Sequence, residues 1–150
     1  MNKVFFHYAD RKLNFPDKNA VKSFVENIFT LEKRPLERLD YIFCSDEYLL
    51  NINKTYLQHD YYTDIITFNL SNSSEITGEI YISLDRVKDN AQTLQQPLKN
   101  EILRVIFHGA LHLCGYNDKS KAEEVVMCKM EDKYIALFLK HSFHVEHIVK

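Results

Sequence analysis

Several residue types are scarce in this chain of 150 residues, and each scarcity excludes a class of protein. Three glycines and three prolines are too few for collagen-like or linker-rich architectures. No apolar run reaches the roughly 18–20 residues that span a bilayer, and the first eight residues are too polar for a signal peptide. The formal net charge of −2 excludes a globally basic nucleic-acid binder.

Cysteine is also rare, because only Cys44, Cys114 and Cys128 are present and they form no CxxC pair. An odd number of scattered cysteines is typical of free thiols in a reducing compartment. A chain of this length buries enough surface to fold without disulfide bonds. We therefore expect one cytoplasmic domain over residues 1–150, with no membrane contact.

Hydrophobic patterning predicts an α+β fold. Alternating or β-branched segments predict four strands near residues 4–8, 39–43, 65–68 and 79–83, and the last two are expected to pair antiparallel. Helical spacing and capping residues predict five helices, the fourth running from about Pro97 to Cys114 and the fifth opening at Ser120. This order of elements favours helices packed on a mixed four-stranded sheet, with the fourth helix at the centre.

The most informative segment is HGALHLCGYND, residues 108–118. Residues four apart lie on one face of a helix, so His108 and His112 can share one metal ion. A helical wheel places both outside the main apolar stripe, and the apolar flanks of the helix indicate that their face lines a cleft. Gly115 ends the helix, and the chain can fold back so that Asp118 reaches the same ion.

This spacing, H-x-x-x-H-x-x-G-x-x-D, is that of the metzincin proteases, with aspartate as the third ligand. A histidine pair alone is more often structural or solvated, whereas the added glycine and carboxylate make a metal site and a structural role equally favoured. Three protein ligands leave a fourth position for water, as in catalytic zinc sites. Metzincins carry glutamate directly after the first histidine as general base, and Gly109 in that position argues against a peptidase.

The same segment closely resembles the HGxLHLxGYDH signature of the YbeY family of bacterial metal-dependent endoribonucleases and ribosomal RNA maturation factors. Three further segments resemble the family in the same order along the chain. Residues 50–56 are similar to its LN..yR segment, residues 63–68 (TDIITF) to TDVLSF, and residues 78–83 (GEIYIS) to GDIxIS. The chain is identified by this resemblance as a YbeY-like metal-dependent hydrolase.

The resemblance implies a zinc-dependent, single-strand-specific endoribonuclease that matures the 3′ end of small-subunit ribosomal RNA and acts in ribosome quality control. It implies one Zn²⁺ per chain on His108, His112 and Asp118, with a metal-bound water in catalysis. The implied partners are ribosomal RNA, the small ribosomal subunit and its proteins. Asp118 replaces the third histidine of the family but keeps an oxygen ligand able to bind zinc. Leu57 stands where the family usually carries an arginine.

Three further residues are candidates for the site. Arg104 lies one turn before His108, and it is expected either to contact a substrate phosphate or to pair with a carboxylate. Asp64 is a candidate hydrogen-bond partner of a ligand histidine or a turn former. His59 is a candidate substrate contact that could partly replace the missing arginine. Cys114 is expected to be a core residue rather than a ligand.

Two functions of different classes remain open at this point. The first is the endoribonuclease, for which several basic residues would need to converge on the cleft; the candidates in the surrounding helices are Arg86, Lys88, Lys99 and Arg104. The second is a non-catalytic ribosome-assembly factor with a structural metal, in which Leu57 marks lost catalysis. The spaced histidines of the C-terminal tail, His141, His144 and His147, are expected on the solvated surface.

Overall fold

The computed structural model describes residues 2–15 and 17–149, with the side chains of the last helix described as far as Lys140. The tail histidines singled out above lie outside the residues whose side chains are described. Four strands are present in this part of the chain: β1 (Val4–Tyr8), β2 (Leu36–Cys44), β3 (Ile65–Asn69) and β4 (Ile76–Ser83). Five helices accompany them: α1 (Lys18–Leu31), α2 (Asp46–Leu57), α3 (Leu84–Thr93), α4 (Leu98–Leu113) and α5 (Lys121–Val149). The predicted α+β class and order of elements are confirmed.

The four strands form one mixed sheet in the order β1-β2-β4-β3. β1, β2 and β4 are parallel, whereas β3 runs antiparallel to β4, as predicted. β4 begins at Ile76, three residues earlier than its pattern predicts, because Ile76 pairs with Leu36 of β2 and is buried. β3 is therefore an edge strand, with β4 on one side only.

The fourth helix occupies the centre of the fold. Residues on most faces of α4 are buried, and those with no exposed surface are Leu103, Ile106, Phe107, Ala110 and Leu111. The helix packs against α1, α3, α5, β3 and β4. None of the described helices combines the length and apolar composition that a membrane-crossing segment requires.

Local signals determine the turn between α4 and α5, which carries Asp118. Gly115 follows the end of α4 with a φ of +107°, a left-handed conformation that glycine adopts without strain. Ser120 Oγ accepts a hydrogen bond from the Glu123 N–H at 3.1 Å, and the Glu123 carboxylate accepts one from the Ser120 N–H at 3.0 Å. This capping box begins α5, so the turn is held at both ends.

Glycine allows α4 to lie unusually close to the sheet. A Cβ atom at Gly109 would stand 2.7 Å from Ile80 Cδ1 and 3.1 Å from Ile65 Cδ1. A Cβ atom at Gly78 of β4 would stand 2.7 Å from Leu113 Cδ1. Gly109 therefore faces β3 and β4, so a glutamate at this position would meet the sheet.

The close approach at Gly109 can be tested by Gly109→Ala. We expect a loss of stability of up to about 2 kcal/mol, because overpacking costs about 1–3 kcal/mol while alanine regains roughly 1 kcal/mol of helix propensity. Ile80→Val removes the Cδ1 atom that the new methyl group would meet. The double variant should therefore lose less free energy of unfolding than the two single losses added together, as measured in urea. Additive losses would contradict this packing.

Candidate metal centre

Three side chains from α4 and the following turn converge on one point. Asp118 Oδ2 lies 3.3 Å from Nε2 of His108 and 3.3 Å from Nε2 of His112, and one donor atom from each of the three residues lies within 4.8 Å of the others. A tetrahedral zinc site with bonds of about 2.0–2.1 Å has ligands about 3.3–3.4 Å apart. The three side chains therefore fit a metal ion, and all are partly exposed to solvent.

The other ring nitrogens of the two histidines are held by neighbours. His108 Nδ1 lies 2.5 Å from Oε2 of Glu131 on α5, and His112 Nδ1 lies 2.9 Å from the carbonyl oxygen of Tyr116. These hydrogen bonds turn both Nε2 atoms toward Asp118. A histidine that donates its second N–H to a carboxylate or a carbonyl is the usual arrangement around a bound metal.

The environment of His108 also changes its protonation. Burial lowers the pKa of His108, but the hydrogen bond to Glu131 and the charges of Glu131 and Asp118 raise it by more, so the net pKa lies above the usual value. Metal binding requires the neutral imidazole. A metal ion must therefore displace a proton that this ring holds to higher pH than an ordinary histidine does.

The three candidate ligands line a cleft of about 680 Å³. Its walls come from α4, from the edge of β3 and from the connection between α2 and β3. Four carboxyl groups line it: Asp64, Glu101, Asp118 and Glu131. Burial raises the pKa of Asp64 and of Glu101 above the usual range, because the charged form loses hydration.

Comparison with known proteins decides the family. The family model for the endoribonuclease YbeY matches residues 6–138. The chain belongs to this family. This membership confirms the predicted enzyme class, a nuclease that hydrolyses phosphodiester bonds.

Relatives named endoribonuclease YbeY match over most of their length. The protein of Cytophaga hutchinsonii is 45% identical over 135 residues, which cover 89% of this chain and 94% of the relative. The protein of Phocaeicola vulgatus is 42% identical over 132 residues, with 87% and 96% covered. A solution structure of a Thermotoga maritima protein superimposes with a TM-score of 0.64 at 24% identity, covering 96% of this chain and 93% of that one. The last comparison supports the fold.

Arg104 lines this YbeY cleft, as its position one turn before His108 predicts. Its guanidinium donates to Glu131 at 2.7 Å and to Asp132 at 2.6 Å. Carboxylate pairing, one of the two expected roles, is therefore present. The Asp132 side chain is 65% exposed whereas that of Glu131 is 7% exposed, so the two ion pairs differ in how easily solvent or a ligand can replace them.

Asp64 and His59 also line the cleft. Asp64 Oδ2 accepts a hydrogen bond from Asn90 at 3.4 Å, whereas both histidine Nδ1 atoms have the other partners described above. Glu131 thus occupies the place beside a ligand histidine that was considered for Asp64. His59 stacks on Tyr61 at the mouth of the cleft. Cys114 is buried as predicted, and burial raises the pKa of its thiol to about 12.

The basic residues considered for RNA binding do not converge on the cleft. Of the four candidates in the surrounding helices, only Arg104 is among the lining residues. Arg86 instead pairs with Asp46 at 2.9 Å and with Asp89 at 3.1 Å. The described lining therefore carries four carboxyl groups and one arginine.

Glu131 is the site residue that sequence reasoning missed. It lies on the apolar stripe of α5 with Met127, Tyr134 and Phe138, and all four residues are buried. A carboxylate on a buried apolar stripe must have a charged or hydrogen-bonding partner. This rule predicts that Glu131 has a partner. It does not identify His108 as that partner, because His108 lies 23 residues away in the sequence.

The ligand set can be tested by metal analysis. The double variant His108→Ala/His112→Ala should bind close to zero metal per chain, because only one ligand remains. Asp118→Ala should weaken binding, and Asp118→His should preserve it, since a histidine nitrogen can replace the carboxylate oxygen. Unchanged metal content in the double variant would contradict the site.

Glu131 can be tested against its neighbour Asp132. Glu131→Ala should lower metal affinity by about 10–100-fold, because the ring of His108 loses its orienting partner. Asp132→Ala is the matched control: it also removes a carboxylate from Arg104 but leaves His108 Nδ1 bonded. Titration with Zn²⁺ in the presence of a competing chelator gives both affinities. Equal losses in the two variants would show that His108 does not depend on Glu131.

Proposed function

We propose that this protein is a zinc-dependent endoribonuclease that cleaves single-stranded RNA in the maturation of small-subunit ribosomal RNA, including its 3′ end, and in ribosome quality control. The observation that carries the proposal is the three-ligand cluster open to a cleft, in a chain of the YbeY endoribonuclease family. Partners would be ribosomal RNA and the small ribosomal subunit with its proteins. The free thiols of Cys44, Cys114 and Cys128 support a reducing, cytoplasmic location.

Zinc is the proposed ion because the donor set is two imidazoles and one carboxylate, with the carboxylate oxygen 3.3 Å from each imidazole Nε2. When bound, it supplies a Lewis acid that stabilises charge on a phosphodiester. His108, His112 and Asp118 would hold it, one ion per chain. Glu131 and the Tyr116 carbonyl keep the two rings in the binding orientation.

The chain itself would bind phosphate and move protons. Arg104 is our candidate phosphate contact, because an exposed ion pair such as that with Asp132 contributes little and a phosphate can replace it. Asp64 is our candidate proton carrier, since it lines the cleft and its raised pKa lets it hold a proton closer to neutral pH than an ordinary aspartate.

Unpaired RNA is the substrate that best suits this cleft. An A-form duplex presents its phosphates on a regular, stiff surface, and its bases are stacked within the helix. The scissile phosphate must instead reach a pocket whose histidine ligands are only 20% and 26% exposed. A single strand can bend into such a pocket.

A second candidate function is a non-catalytic ribosome-assembly factor with a structural metal. One observation favours it: Leu57 lines the cleft in place of the arginine usual in the family, and the same cleft is lined by four carboxyl groups. This reading predicts metal binding and ribosome binding without cleavage.

Cleavage of a labelled single-stranded RNA tests the two functions. The zinc-loaded protein should cleave it, a chelator should stop cleavage, and added Zn²⁺ should restore it. Asp64→Asn should lower kcat by about 100-fold or more with metal content unchanged, because a positioned acid or base contributes about 10²–10⁴-fold. Asp60→Asn is the matched control, since Asp60 lies on the same connection, is exposed and pairs with Lys54.

Two results would contradict the proposed function. Equal cleavage of a duplex would overturn the single-strand preference. A zinc-loaded protein that leaves RNA intact yet co-sediments with small ribosomal subunits would instead support the assembly factor.

A further inference from the structure

A stacked aromatic pair stands at the mouth of the cleft. The rings of His59 and Tyr61 lie with centroids 5.1 Å apart and planes 22° apart. The Tyr61 hydroxyl and His59 Nδ1 are 2.9 Å apart and joined by a hydrogen bond. Both residues line the cleft that holds the metal ligands, and Tyr61 is 55% exposed. A large aromatic surface therefore faces solvent in the same cleft as the candidate metal ligands.

A buried residue holds this pair in place. Asn53 is 1% exposed, and its side-chain amide donates to the carbonyl of Tyr61 at 2.9 Å. The carbonyl of Asn53 accepts a hydrogen bond from the His59 N–H at 3.1 Å. Between them Gln58 adopts a left-handed φ of +57°. The pair is thus formed before any ligand binds, which lowers the entropic cost of binding to it.

The charge of the cleft explains why an aromatic surface would matter for RNA. Proteins usually gain affinity for nucleic acid by placing several cations on phosphates. Here the described lining has four carboxyl groups and a single arginine that is already paired. Stacking of a base on an aromatic ring does not require a cation, and each base contributes enough to change affinity severalfold.

The free edge of β3 continues from the aromatic pair along the cleft. The Asp64 carbonyl accepts from the Ser83 N–H, and the Leu70 N–H donates to the Thr77 carbonyl. Hydrogen-bonded and non-hydrogen-bonded residue pairs alternate along two antiparallel strands. The backbone N–H and C=O groups of the even-numbered residues of β3 therefore bond to β4. The peptide groups of Ile65, Thr67 and Asn69 therefore face away from β4, and these residues line the cleft.

This free edge favours a base over an added peptide strand. The Ile65 carbonyl already accepts one hydrogen bond, from the Thr63 hydroxyl at 3.4 Å. The outward peptide groups of Thr67 and Asn69 remain, and two such groups form a short edge for strand addition by an extended peptide. Two outward peptide groups suffice to hydrogen-bond the edges of unstacked bases, which is how single-stranded RNA is commonly read.

We propose that Tyr61, backed by His59, is a nucleobase-binding subsite on which one unpaired base of the RNA substrate stacks while a neighbouring phosphate reaches the metal centre. This inference rests on the proposed function, because its ligand is the substrate of that function. It assigns substrate binding to the face of an aromatic ring. Leu57, which replaces the arginine usual in the family, provides no charge for this purpose.

Binding of a fluorescently labelled single-stranded oligoribonucleotide to chelator-treated protein, followed by anisotropy, tests the subsite without cleavage. Tyr61→Ala should raise Kd about 10-fold, and Tyr61→Phe should stay within about 2-fold because the ring is kept. Tyr62→Ala is the matched control: Tyr62 is adjacent and 49% exposed, but it bonds Glu47 and is not part of the lining. With zinc-loaded protein, Tyr61→Ala should raise KM more than it lowers kcat.

A series of oligonucleotides, each lacking one base, locates the contact. Wild-type protein should bind one of them about 10-fold more weakly, and Tyr61→Ala should show no further loss with that oligonucleotide. Equal Kd values for wild type and Tyr61→Ala would overturn the subsite and leave the aromatic rim to a protein partner. If Tyr61→Ala and the missing base each weakened binding independently of the other, that result would overturn the subsite as well.

The two proposals fail in different ways. Protein that binds RNA through Tyr61 but cleaves none contradicts the proposed function and supports the subsite. Protein that cleaves RNA, with the same Kd and KM in Tyr61→Ala as in wild type, contradicts the subsite alone. Absence of any RNA binding by the wild type contradicts both.

Discussion

The close packing of α4 on the sheet is the constraint on which the site depends. Gly109 has no side chain toward Ile80 and Ile65, so the helix lies close to the edge strand β3. The same glycine also has a chemical consequence, because the position that carries glutamate in metzincin proteases here faces the sheet. One residue thus brings the histidine face of α4 beside β3 and removes the general base of a peptidase.

The buried carboxylate of Glu131 links this helix to α5. A buried charge is costly unless it is paired and hydrogen-bonded, and Glu131 has both Arg104 and His108 as partners. Its burial therefore ties the orientation of the His108 ring to the packing of two helices. Asp118 depends on the same packing, since it lies on the turn between those helices. The centre is consequently a product of helix packing as well as of ligand spacing.

The electrostatics of the cleft separate catalysis from substrate affinity. In the proposed function, the four carboxyl groups that line the cleft would repel the phosphates of the RNA substrate. A bound metal ion would offset part of that repulsion at the scissile phosphate only. Under the same proposal, affinity for the rest of the strand comes from contacts that do not depend on charge, and Tyr61 and the outer edge of β3 line the same cleft.

Local interactions explain why much of this protein could be predicted from its sequence. Helical periodicity pairs His108 with His112, and Gly115 ends the helix so that Asp118 can return; each step involves neighbours within a few residues. The strands and their order along the chain follow from the same short-range patterns, whereas the order β1-β2-β4-β3 within the sheet depends on pairing between distant segments. Contacts between distant segments decided the rest: Glu131 beside His108, Arg104 paired with carboxylates, and the placement of the loop with His59 and Tyr61 in the same cleft as the α4 histidines. Sequence spacing carries no information about such contacts, because they depend on how the helices and the sheet pack.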